Sequence, residues 1–271
     1  MRPIRSLALW FDAALLAVVV SATSADAAGT AVLPDVEVRP TALKEERPVG
    51  AYGAPAWTMA RRFPTTRVYL QRAPGEMAVE QWWRGRFYED GTKKHRFQEE
   101  FELGLPGRLQ LDTYLNWTIV SDEATRYDST ALELRYAFAD WGDLPLNPTV
   151  YGEWKAVDEG DDVLEFKLLL GEELGRGWHW GLNFVREWEL GGEHAVEYAV
   201  SQAFSYTLVD SKFSVGVEMA YSEETVSGGR HDPERSGRVG PSVQWRPTER
   251  SHIDVVPLFG VTDEAPDVEA Y

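Results

Sequence analysis

The sequence contains no cysteine among its 271 residues, so disulfide bonds and thiolate metal sites are excluded. Basic residues are also scarce: 27 lysines and arginines stand against 44 aspartates and glutamates, which gives a formal net charge of -17. Sequence-independent binding of nucleic acid needs clustered cations on the surface that meets the phosphates. We therefore expect no nucleic-acid partner.

Long apolar segments are missing beyond the first 28 residues. This first stretch has a basic start at Arg2 and Arg5, an apolar run over residues 7–20, and small residues at Ala25-Asp26-Ala27. The pattern predicts a cleaved secretory signal peptide over residues 1–27. The alternative is an uncleaved anchor, although the run is shorter than the ~20 residues that a spanning helix needs. Any membrane integration of the remaining chain must use strands.

Catalytic signatures are scarce as well. The five histidines form no i,i+4 pair and show no metal-ligand spacing, and a G-x-S-x-G motif is absent. His231-Asp232 is the one local pair that could serve an outer-membrane protease, but ordinary loop chemistry explains such a pair more often. We expect no enzyme activity, no cofactor and no metal site.

Residues 28–78 are rich in proline and show no sustained apolar period. Proline fixes one backbone angle and removes a hydrogen-bond donor, so we predict an extended periplasmic tail here. Within it, Arg61-Arg62 and Arg67 are interpreted as a solvated basic turn.

Residues 79–271 consist of short segments in which apolar and polar residues alternate, the pattern of strands with one apolar face. In Leu109–Val120, for example, Leu111 and Leu115 fall on one face and Asp112 and Asn116 on the other. Each segment is near the ~9–11 residues that a tilted strand needs to cross a bilayer. The eleven predicted strands cover residues 79–88, 97–105, 109–120, 130–138, 149–157, 163–171, 178–188, 195–207, 213–221, 238–246 and 252–261.

The connections between these strands alternate in character. Turns such as residues 105–108, 174–177 and 209–212 are short, whereas loops such as 121–129, 190–194 and 222–237 are longer or more acidic. Outer-membrane barrels place short turns in the periplasm and longer loops outside. Residues 79–271 therefore resemble bacterial outer-membrane β-barrels of modest size. The resemblance implies outer-membrane lipid, lipopolysaccharide and the insertion machinery as partners, and secretion to the outer membrane of a didermic bacterium.

The predicted fold is all-β: a transmembrane antiparallel up-and-down β-barrel of about twelve strands with an extended N-terminal periplasmic tail. Eleven strands is an unusual count, because barrels of single bacterial chains are almost always even. We expect either that a short C-terminal segment is missing from the sequence, or that residues 267–271 pair weakly with the first strand.

The polar faces carry the candidate site. Three strands repeat an acidic-x-basic triplet, and we expect each glutamate to face the basic residue of the neighbouring strand. The lumen is interpreted either as an open, charged pore or as a narrow interior filled by salt bridges. The candidate lumen-lining residues are Glu133, Arg135, Glu153, Lys155, Glu165, Lys167, Asp112, Arg84, Arg86, Glu197, Glu218 and Arg246.

The function that the sequence favours is a porin-like channel for small solutes through this charged lumen. Two alternatives stay open. One is a structural or adhesive surface barrel with a plugged lumen, and the other is an outer-membrane hydrolase, a lipase or a protease.

Overall fold

A computed structural model describes residues 42–121 and 123–271, so the predicted signal peptide and the first part of the predicted tail lie outside the described residues. Two short helical pieces, a 3-10 turn at Lys44–Glu46 and helix α1 at Ala56–Met59, precede the strands. None of the helices described is long and apolar enough to cross a membrane.

The strands form one antiparallel sheet that closes on itself, because β9 pairs with β10 and β13 pairs with β1. β11 and β12 both pair with β10 and share one position in the wall, which makes the structure a closed twelve-strand up-and-down barrel, as predicted. The strands are β1 Met77–Phe87, β2 Lys93–Leu105, β3 Leu109–Val120, β4 Arg126–Ala137, β5 Thr149–Val157, β6 Val163–Gly175, β7 Trp178–Glu189, β8 Val196–Val209, β9 Phe213–Thr225, β10 Glu234–Thr248, β11 Ser251–Val255, β12 Pro257–Gly260 and β13 Val268–Ala270.

Alternation along each strand separates the two faces of the wall, as the sequence predicts. In β3, Asp112 and Asn116 are buried in the interior. On the outside, Phe101, Leu134 and Phe166 remain 45%, 48% and 53% exposed. A polar interior within an apolar exterior is the reverse of a soluble β-fold and is typical of membrane barrels.

The predicted eleventh strand is interrupted at Val256. The pairs Val243–Val255 and Val239–Phe259 on either side of the break place Pro257 opposite Pro241. Neither proline has an N–H group to donate, so the hydrogen-bond ladder is broken there.

The twelfth wall position is only partly filled. β13 pairs with β1 at Gly85, Arg86 and Phe87 alone, which is the weak pairing of residues 267–271 with the first strand that the sequence suggested. Below this point a cavity of about 700 Å³ lies between β1 and β11. Both inward residues such as Glu80 and outward residues such as Val79 line it, so it passes through the wall.

The remaining part of the predicted tail is placed differently from the prediction. Residues 44–73 are named the plug here. They begin at the turn end, where residues 47–49 are exposed, and continue inside the barrel, where Trp57, Phe63, Tyr69 and Leu70 are at most 1% exposed. These apolar groups gain by leaving water, whereas a solvated linker would leave them exposed. The plug occupies the end of the barrel with the short turns, named the turn half; the other end is named the loop half.

Candidate functional site

The plug is held in the turn half by ion pairs with inward-facing carboxylates. Arg61 pairs with both Glu80 and Glu100, and Nη2 of Arg67 lies 3.1 Å from Oε1 of Glu100. Burial alone would lower the pKa of Arg67, but the surrounding acidic groups, Glu100 first among them, together more than reverse this, so its pKa lies well above the usual value. The interpretation of Arg61-Arg62 and Arg67 as a solvated basic turn is therefore wrong.

Further polar contacts fix the path of the plug through the lumen. The amide N–H of Arg67 donates to Oδ1 of Asn183 at 2.7 Å, and the N–H of Gln71 donates to Oε1 of Gln110 at 2.8 Å. Thr65 donates from its N–H to Oε2 of Glu218 at 2.9 Å. Because the plug has little regular structure of its own, wall side chains satisfy these backbone groups.

Apolar contacts complete the fit at the turn end. Trp57 packs edge-on against Trp141 with ring centroids 5.6 Å apart, and its Nε1 donates to Oε1 of Glu173 at 2.8 Å. Val68 fits over Gly171 and Gly181, which are paired across β6 and β7. A Cβ atom on Gly171 would lie 2.3 Å from Cγ1 of Val68, so this notch in the wall requires glycine.

The strand register brings acidic residues together across the wall. Glu102, Asp112, Glu133, Glu153, Glu165, Glu187, Glu197 and Glu224 are paired directly from β2 to β9 and are named the carboxylate belt here. The expectation that each glutamate faces a basic residue of the next strand is therefore wrong. The turn lengths set a register in which acid meets acid, and the cations reach these carboxylates from the same strand, from a nearby strand or from the plug.

The belt rises from one end of the barrel to the other. Glu102 lies three residues from the short turn that ends β2, whereas Glu224 lies one residue from the loop that follows β9. In the turn half, Arg135 lies 2.6 Å from Glu133 and 3.1 Å from Asp112, and all three are fully buried. The lower part of the belt is therefore neutralised inside protein.

The upper part of the belt faces a cavity of about 450 Å³ in the loop half. Lys167 lies 2.8 Å from Glu165, and Lys155 lies 3.5 Å from Glu187 and 4.0 Å from Glu153. Within residues 42–121 and 123–271, Glu197 and Glu224 have no cation within 4.0 Å. Pro64, Thr65 and Arg67 of the plug form the floor of this cavity.

The opposite wall of the cavity is basic. Arg84 on β1 is paired directly with Arg96 on β2, and both line the cavity. Arg96 donates from Nε to Oδ1 of Asn116 at 3.2 Å, and no carboxylate oxygen in the described parts of the chain lies within 4.0 Å of either guanidinium. Arg86 is paired with Glu269. Arg96 was not among the residues predicted from the sequence, although its position on β2, an even number of residues from Glu100 and Glu102, predicts an inward side chain.

All twelve residues predicted to line the lumen are on the inward face, but the structure divides them between different surroundings. Asp112, Glu133 and Arg135 are buried in the turn half, and Glu218 is buried against Thr65 of the plug. Arg246 lies at the cavity between β1 and β11. The residues that line the cavity of the loop half are Arg84, Arg86, Glu153, Lys155, Glu165, Lys167 and Glu197.

The histidines show two arrangements that bear on catalysis. His231 and Asp232 are exposed in the loop after β9, and no hydrogen bond joins them in the described residues. His252 on β11 was not singled out: Nδ1 lies 2.6 Å from Asp254 and Nε2 lies 3.5 Å from Glu80. Because carboxylates occupy both ring nitrogens, neither nitrogen is free to take a proton from a nucleophile.

No protein-family model matches the chain, and no curated protein is similar to it at a significant level. The fold alone therefore defines the class: a closed twelve-strand antiparallel β-barrel, here with the plug in the turn half of its lumen and a charged cavity above it.

Proposed function

We propose that the protein is an outer-membrane barrel that admits small solutes through its charged lumen, and that the plug is the gate of this channel. The observation that supports the proposal is the polar contact between plug and wall above the apolar cluster at the turn end. Arg61 and Arg67 meet Glu80 and Glu100, and the backbone of the plug meets side-chain amides.

Such an interface suits a movable plug better than an apolar core would. Water can replace ion pairs and hydrogen bonds when a plug leaves a lumen, so the net stabilisation by each contact is modest. In the described position, the plug occupies the turn half, and the cavity of the loop half lies above it. Passage requires the plug to move relative to the wall.

The membrane location rests on the exterior of the barrel. Strands of 9 to 15 residues form the continuous part of the wall from β1 to β10, and large apolar side chains are exposed on their outer faces. A tilted strand of ~9–11 residues crosses a bilayer. The short turns at one end and the longer loops at the other agree with the orientation of outer-membrane barrels.

A reversible cross-link tests the gate directly, and the absence of native cysteine makes the test clean. Oγ1 of Thr66 in the plug and Oγ of Ser201 on β8 are 3.1 Å apart, so T66C/S201C can bridge plug and wall. The matched control is T248C/S251C, whose hydroxyl oxygens are 2.7 Å apart in the exposed hairpin between β10 and β11, so that its disulfide joins wall to wall and not wall to plug.

Single-channel recordings in planar bilayers provide the measurement. We expect channel openings in the wild type and in reduced T66C/S201C, their disappearance on oxidation, and no effect of oxidation on the control. Equal conductance of oxidised and reduced T66C/S201C would contradict gating by the plug. A wild type without openings at any voltage would instead favour a surface barrel with a permanently plugged lumen.

A further inference from the structure

The cavity of the loop half contains two separate sets of charges that have no ion-pair partner among residues 42–121 and 123–271. Arg84 and Arg96 are adjacent on one wall, and Glu197 and Glu224 are adjacent on the other. β2 and β8 are six of twelve positions apart, and β1 and β9 are four positions apart through β13, so these walls lie on different sides of the lumen. Opposite charges therefore face one another across solvent without closing into ion pairs.

The basic wall has the features of an anion site. Like charges placed directly opposite on neighbouring strands destabilise a sheet unless another charge lies between them. Glu269, which is paired with Arg86 across β13 and β1, is already shared by Arg86 and Arg238 and lies 2.7 Å from Arg238. Two guanidinium groups side by side present planar donors that match the oxygens of a carboxylate.

The acidic wall has the opposite preference. Glu197 and Glu224 are paired across β8 and β9, and the cations Lys155 and Lys167 on β5 and β6 are already engaged with Glu187 and Glu165. An ammonium group between Glu197 and Glu224 would relieve the repulsion between them. A simple anion that binds to the arginines gains nothing from this wall.

We propose that the cavity binds short zwitterionic peptides, with the terminal carboxylate between Arg84 and Arg96 and the terminal ammonium at Glu197 and Glu224. A volume of about 450 Å³ lies within the range of pockets for small ligands. Each extended residue separates the two end charges by a further ~3.3–3.6 Å, so a short peptide reaches farther from the basic wall towards the acidic wall than a single amino acid does. The inference rests on the proposed function only in that solutes reach the cavity from the loop end.

Equilibrium dialysis of the detergent-solubilised full chain against labelled trialanine tests the proposal. The first comparison uses the wild-type protein and two end-capped peptides. N-acetyl-trialanine lacks the terminal ammonium, and trialanine amide lacks the terminal carboxylate. We expect each cap to weaken binding at least about tenfold, and alanine itself to bind more weakly than trialanine. Capped peptides that bind as tightly as trialanine would overturn the proposal.

Two double variants assign each end of the peptide to its wall. R84Q/R96Q should weaken the binding of trialanine but leave the binding of trialanine amide unchanged. E197Q/E224Q should weaken the binding of trialanine but leave the binding of N-acetyl-trialanine unchanged. The matched control is R235Q/E223Q, which removes an exposed ion pair of 3.0 Å from β10 and β9 outside the cavity. Equal losses for capped and uncapped peptides would overturn the assignment.

Binding and gating are separable in this design. Oxidised T66C/S201C keeps the plug and the cavity in place, so it should bind trialanine as the wild type does while conducting nothing. Binding without conductance in any form would support the peptide site and contradict the gated channel. Conductance without peptide binding would support the gated channel and contradict the peptide site.

Discussion

In the turn half of the barrel the inward side chains meet the plug, whereas in the loop half the same strands face a cavity. The wall pattern does not differ: Glu133-x-Arg135 in the turn half and Glu165-x-Lys167 in the loop half are the same triplet. Arg135 and Lys167 even share one register row through Tyr151. What differs is burial, since Arg135 is fully buried and the side chain of Lys167 is 20% exposed.

The difference shows that a charged wall alone does not make an aqueous pore. In the turn half, Arg135 donates to the carbonyl oxygen of Tyr69 at 3.2 Å and to Oε1 of Gln71 at 3.0 Å, so it serves plug and wall together. In the loop half, the plug contributes the floor of the cavity, and the charges on its walls remain available to a solute. The charged residues of the turn half therefore hold the plug in place, and those of the loop half are the ones available to bind a solute.

The largest effect should come from removing the cation that joins plug and wall. Arg135→Met leaves Asp112 and Glu133 buried without their shared partner, and breaking a buried pair in this way costs about 3–5 kcal/mol. The equivalent change in the loop half, Lys167→Met, should cost about 0–1 kcal/mol because solvent reaches its partner Glu165. Urea unfolding followed by tryptophan fluorescence measures both. Equal losses of unfolding free energy in the two variants would contradict the difference in burial between the two halves.

The barrel and its inward face could be predicted from the sequence because period-two alternation and loop lengths are local signals. The bounds of β3 and β5 were predicted to the residue, and the other predicted strands through β10 differ at one or both ends. The register was not predictable from the triplets. A shift of one strand by two residues preserves the faces but changes whether acid meets acid or base.

The plug was missed because its contacts are distant in sequence and it has no period. Arg61 reaches Glu100, and Thr66 reaches Ser201, across 39 and 135 residues. Its composition nevertheless carried a signal: four arginines and several large apolar residues lie between Trp57 and Arg72 in a chain of net charge -17. In a solvated linker such residues would make no stabilising contacts, whereas in a carboxylate-rich lumen the arginines form ion pairs and the apolar side chains are buried.

A smaller effect should follow from filling the notch under Val68. In Gly171→Ala the new Cβ would overlap Val68, and overpacking of this kind costs on the order of 1–3 kcal/mol. The plug should shift, which limited proteolysis would detect as faster cleavage within residues 44–73. Gly152→Ala on the outer face of β5 is the control, since its Cβ would lie 3.4 Å from Phe166, an ordinary contact. Unchanged cleavage in Gly171→Ala would show that the plug does not depend on this fit.

The smallest effect concerns the entry of the plug at the turn end. Asp210, in the turn after β8, accepts hydrogen bonds from the N–H groups of Lys44 at 2.9 Å and Glu45 at 3.3 Å. Burial would raise the pKa of Asp210, but these bonds hold it below its usual value. A lowered pKa stabilises the folded chain above the unfolded-state value of ~3.9, and this contribution is lost as the pH falls through the folded-state pKa.

Asp210→Asn should therefore lower the free energy of unfolding at pH 7 by only about 0.3 kcal/mol, because solvent screens the exposed carboxylate. The variant should also lose less stability than the wild type between pH 5 and pH 2, the window in which the wild-type carboxylate is protonated. Unfolding at a series of pH values measures this. Parallel pH profiles of the two proteins would mean that Asp210 does not anchor the plug through its charge, and that the anchor is Glu45 with Arg62, 2.8 Å apart in the interior.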